Sequence, residues 1–77
     1  MAKTITQCLV DGLLASGHVE IQSKSGKYRT FVHREAPEGR RYFVCKSGGL
    51  RKGYNVTSSI SMEGRGRDQF INLGAKL

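Results

Sequence analysis

The chain has 77 residues and a net charge of +7, with 13 Lys and Arg against 6 Asp and Glu. That length allows one domain and a small core, and the two cysteines, Cys8 and Cys45, lack the C-x-x-C spacing of a zinc site. No apolar run approaches membrane-spanning length, and Met1-Ala2-Lys3 leads into no apolar signal core, so the reading is a cytoplasmic protein with reduced thiols and no membrane contact.

Residues 4–16 read as a helix. Thr4 is its N-cap, Gln7 stands three residues on, and Ile5, Leu9 and Leu13 share a face with Cys8 beside them. Val10 and Leu14 widen the stripe, Gly12 weakens the helix, and Gly17 ends it. The period then drops to two. His18 to Gln22 alternates as a strand, Ser23-Lys24-Ser25-Gly26 turns, and Lys27 to His33 forms a second strand rich in aromatic and β-branched residues. Glu35-Ala36-Pro37-Glu38-Gly39 is a loop and Arg41 to Cys45 a third strand. Lys46 to Gly53 reads as a glycine-opened turn. Tyr54 to Met62 reads either as a fourth strand or as a short helix capped within Thr57-Ser58-Ser59.

Gly64-Arg65-Gly66-Arg67 is a basic break before a weakly apolar terminal element. The expected fold is α+β: an N-terminal helix packed on one face of a three- to four-stranded antiparallel sheet, with a short C-terminal element over residues 68–77 in which Phe70, Ile71 and Leu73 pack, and residues 64–77 as a loosely packed tail of a single domain. One helix covers one face, so the other face is expected to stay open. Strand parity leaves two choices. In one, which Phe and Cys burial favours, Phe31, Phe43 and Cys45 face the helix, and Tyr28, Val32, Arg34, Tyr42, Val44 and Lys46 face out. In the other, Tyr28, Val32, Tyr42 and Val44 are core, and Arg29, Phe31, His33, Arg41 and Phe43 face out. Either choice places an aromatic on two neighbouring strands of the open face, with cations close by.

The charge is concentrated. Residues 24–52 hold nine Lys and Arg and two Glu, a local balance of +7, while the four basic and four acidic residues elsewhere cancel. One strongly basic segment is the footprint of a polyanion partner, most often DNA or RNA held through its phosphates. The residues expected to meet it are Lys24, Lys27, Arg29, Arg34, Arg40, Arg41, Lys46, Arg51 and Lys52, with Tyr42 as a stacking aromatic.

Sharper motifs fail on inspection. Gly48 and Gly53 have the G-x-x-x-x-G spacing of a phosphate loop, but Tyr54-Asn55 stand where Lys-Ser/Thr is needed. His18-x-Glu20 and His33-x-Glu35 each set a carboxylate near an imidazole, with no zinc-ligand cysteine pair to complete a deaminase signature. The helix-then-three-strand order of residues 4–60 resembles, in topology alone, double-stranded-RNA-binding domains and HicA-type ribonuclease toxins. The toxins' Gly-Ser-His signature is missing, with Ser25-Gly26-Lys27 nearby, and so is the Lys/Ala-rich final helix of the RNA-binding domains. The sequence reading is therefore a small non-catalytic nucleic-acid-binding module without cofactors. The alternatives are a mobile-element type of regulator docking on a larger protein or nucleoprotein complex, and a ribonuclease using His33 or His18. Self-association would suit a core this small.

Overall fold

The computed structural model describes residues 3–23 and 26–77. Two helices and five strands follow one another as α1 (Ile5–Ala15), β1 (His18–Ile21), β2 (Tyr28–His33), β3 (Arg41–Cys45), β4 (Leu50–Gly53), β5 (Ile60–Met62) and α2 (Arg65–Ala75). The fold is α+β, with one more strand than the upper count expected from sequence. Every strand pairs antiparallel with its sequence neighbours, in the order β1-β2-β3-β4-β5. None of the described helices is long and apolar enough to cross a membrane.

α1 begins where the Thr4 hydroxyl accepts the Gln7 N–H at 3.1 Å. It stops at Ser16, and Gly17 follows at φ 90°. Leu9, Val10 and Leu13 of α1 form the core with Phe31, Val44 and Leu50 from β2, β3 and β4. Tyr42, Met62, Phe70 and Ile71 pack around this cluster. Cys8 is buried and Cys45 is only half-buried; both thiols are free.

The expected short C-terminal element is present as α2, with Phe70 and Ile71 packed against the core; it is a full helix rather than a loose tail, and it lies antiparallel to α1 on the same side of the sheet. The approach is close enough that a Cβ on Gly12 would collide with the Phe70 carbonyl, and one on Gly74 with the Cys8 carbonyl. Glycine at both positions lets the two backbones meet, so Gly12 is a contact point rather than a flaw in its helix. Lys3 Nζ ties the crossing, donating to Asp11 Oδ2 and to the Gly74 and Leu77 carbonyls at 2.9 Å each.

The sheet departs from both parity choices. Phe31 pairs with Tyr42 and Thr30 with Phe43, and directly paired residues share a face. Phe31, Tyr42 and Val44 therefore face the helices, while Thr30, Val32 and Phe43 face away. The two phenylalanines lie on opposite faces. The far face is not an open platform either: Thr30, Val32 and Phe43 are only 4%, 2% and 3% exposed. The chain between β4 and β5 folds over part of it, bringing Ser59 against Gly53.

The stretch expected to turn from Lys46 to Gly53 turns only at its start. Cys45 N–H donates to the Gly49 carbonyl at 2.8 Å and Gly48 N–H to the Cys45 carbonyl at 2.9 Å, with Gly48 at φ 103°. Leu50–Gly53 is already β4. Tyr54–Ser59 is neither strand nor helix but a turn, in which the Asn55 side chain accepts the Ser58 N–H at 2.8 Å.

His18 shows how the helices seat on the sheet. Its ring meets Tyr42 at 5.0 Å, His33 at 5.2 Å and Phe70 at 6.4 Å, all edge to face. Nδ1–H donates to the Leu13 carbonyl at 3.3 Å. Burial dominates and holds the pKa below its ordinary 6.5. The unfolded chain thus binds more protons than the folded one just below pH 6.5. The stabilisation is complete above that pH and is lost as pH falls from 6.5 to the depressed folded value. Denaturant melts at pH 7.5 and 5 should show lower stability at pH 5, with the difference reduced in His18→Gln.

Candidate nucleic-acid interface

The basic residues of 24–52 are one stretch of sequence; the fold divides them between faces and ends of the sheet. Arg29 lies on the helix side of β2 in a two-pronged ion pair with Glu20, at 2.6 and 2.7 Å. That pairing holds the Glu20 carboxyl below its usual range and raises the Arg29 pKa. Arg51 turns to the opposite face from its neighbour Lys52, because Arg51 pairs with Phe43 and Lys52 with Tyr42. Arg51 is committed internally: Nε donates to Ser59 Oγ and Nη2 to the Ser59 carbonyl, both at 2.7 Å. Tyr42 is not on an open face. It is half-buried on the helix side against His18 and Phe70, with Lys52 Nζ 5.8 Å from its ring centre.

Lys27 and Lys46 flank the end of the sheet where β2 begins and β3 stops, and Lys24 lies outside the described residues. Arg34 lines a separate recess with Gly17, His33 and Glu35. The imidazole–carboxylate pairs do not form. Glu20 is taken by Arg29, and His33 Nδ1 accepts the backbone N–H of Glu35 at 3.1 Å.

Arg40, Arg41 and Lys52 do converge, at the end of the sheet where β3 starts and β4 stops. Arg41 pairs with Gly53 and Lys52 with Tyr42, so the three cations reach both sides of one strand end. Among the described residues none of them is in an ion pair; the ion pairs found there are Lys3–Asp11 and Arg29–Glu20. Between them stands Tyr54, 62% exposed. It is the shared wall of two grooves. One, of 380 Å³, has Phe43 in its lining with Gln22, Thr30, Arg41 and Asn55. The other, of 210 Å³, is lined by Arg40, Lys52, Ser58 and Ile60.

The loop that carries Tyr54 is held at both ends. Arg51 clamps Ser59, Ser59 Oγ donates to the Val56 carbonyl at 2.6 Å, and Asn55 caps the turn. Tyr54 is the residue the sequence reading passed over. Its signal was an aromatic directly after Arg51-Lys52-Gly53, masked because the position was read as the start of a strand.

The arrangement can hold phosphate oxygens from two sides and offer an aromatic face to a flat ring between them. Comparison of the sequence and fold with protein-family models, curated proteins and solved structures finds no match.

Proposed function

We propose that the protein is a small nucleic-acid-binding module without catalysis, working through the end of the β3–β4 hairpin. The observation that carries this reading is the convergence of Arg40, Arg41 and Lys52 around exposed Tyr54, with no carboxylate ion-paired to any of the three among the described residues. A binding role rather than a ribonuclease is supported by the two histidines. His18 is held against Leu13 and Tyr42, and His33 is engaged by the Glu35 backbone.

The test is oligonucleotide binding by fluorescence anisotropy across a salt series. Three cations displacing counterions from a single strand give a slope of log K against log salt near about −2. Arg40→Ala with Arg41→Ala should flatten that slope to roughly −1 or less. Absence of binding, or binding indifferent to salt, overturns the reading.

A second reading, a regulator docking on a larger protein or nucleoprotein complex, draws support from Ile60. It is 68% exposed in the smaller groove, where a phosphate has no use for it. A lysate pull-down separates the two: a partner protein that persists after nuclease treatment favours docking.

A further inference from the structure

We infer that the strand bound at this site is single-stranded, with one unpaired base entering the larger groove against Tyr54 and its flanking phosphate in the smaller one. The inference rests on the nucleic-acid reading and assigns each groove a part. The two grooves share the Tyr54 wall and differ in chemistry. The larger is lined by the exposed Tyr54 ring with Gln22, Asn55 and Thr57 and one cation, Arg41, while Phe43 and Thr30, also in its lining, are only 3% and 4% exposed; the accessible surface is one aromatic face ringed by hydroxyl and amide groups. That is the complement of a nucleobase, which has flat apolar faces and a rim of donors and acceptors. The smaller offers Arg40 and Lys52, the complement of a phosphate.

A paired base cannot use such a site. In a duplex both faces of each base are covered by its neighbours, and the Watson–Crick edge is occupied. Stacking on a protruding side chain needs a base free to splay out. Tyr54 is also ordered before binding, since the turn beyond it is fixed by the Arg51–Ser59 and Asn55–Ser58 hydrogen bonds. Little ordering cost is left for the ligand to meet. Its exposed ring has no described aromatic neighbour, so the stacking face is available.

The experiment compares three labelled probes of equal length across one salt series: a poly-T single strand, a self-complementary duplex, and a single strand abasic at every position. The single strand should bind at least roughly ten-fold tighter than the duplex or the abasic strand. Tyr54→Ala should lose roughly ten-fold for the intact single strand, leave the abasic strand unchanged and keep the salt slope. Tyr54→Phe should bind like the native protein. Tyr54 is exposed, so thermal melts of both variants should match the native melt, which excludes misfolding as the cause. Equal affinity for duplex and single strand, or unchanged binding by Tyr54→Ala, overturns this inference while leaving the phosphate-binding reading intact. Failure of all three probes to bind overturns both.

Discussion

Gly74→Ala should lower the melting temperature by about 10 °C, and Gly12→Ala by a similar amount. Both glycines are helical, and alanine is the better helix former by about 1 kcal/mol, so propensity alone predicts stabilisation. The crossing predicts the reverse. The added methyl at Gly74 would meet the Cys8 carbonyl, and the one at Gly12 the Phe70 carbonyl. Both obstacles are backbone atoms, which no rotamer change can clear, so the helices must move apart. Overpacking of this kind costs about 3 kcal/mol at the upper end of its usual range. The net loss of about 2 kcal/mol corresponds to roughly 10 °C in a domain this size. Gly26→Ala is the control, because a Cβ there meets nothing within 4 Å. Thermal melts by circular dichroism decide the matter, and a stabilised Gly74→Ala protein would show that the helices do not cross as described.

Arg51→Ala should cost about 2 kcal/mol and weaken oligonucleotide binding, chiefly by loosening the loop that carries Tyr54. Its guanidinium spans the Ser59 hydroxyl and carbonyl with two 2.7 Å bonds. Hydrogen bonds from a charged donor contribute about 1.5–3 kcal/mol each way, and the Ser59 carbonyl is left without its partner. Arg51→Lys should not restore stability, because one ammonium cannot reproduce the fork. The effect should be local first. Chymotrypsin cleavage after Tyr54 should accelerate in Arg51→Ala under conditions where the native loop resists. A variant that binds as tightly as the native protein, with the loop still protected, would show that the clamp does not set the position of Tyr54.

How far the sequence revealed this fold can be traced residue by residue. α1 and the first three strands were legible, because Thr4 and Gly17 mark the helix ends and the apolar period then changes. β4 was not. Leu50-Arg51-Lys52-Gly53 has one apolar residue, and its strand geometry comes from pairing with β3 rather than from local preference. The terminal element is legible but its helical type is not, because glycines and charges interrupt the apolar pattern; its helicity rests on packing against α1 through Gly74. Parity failed on register. The connection between His33 and Arg41 sets Phe31 opposite Tyr42, and no local pattern reports where a loop returns a strand.

The candidate site was legible in part for the same reason. Arg40, Arg41 and Lys52 were named from charge alone, while Arg29 and Arg51 were named alongside them and proved to be bonded within the protein. Charge density along a chain does not show which cations already have partners.

The nearest-neighbour order of the sheet has a kinetic consequence. Each strand adds to the one made just before it, so the meander can grow by closing short loops, the fast route to a folded chain. The α1–α2 crossing joins Cys8 to Gly74 and Gly12 to Phe70, residues far apart along the chain, and its closure costs least once the intervening strands have paired, so it is expected to form late. A contact made that late is largely absent from the rate-limiting step. Substitutions at the crossing should therefore speed unfolding and leave folding nearly untouched, so that the two glycines govern how long the native state lasts.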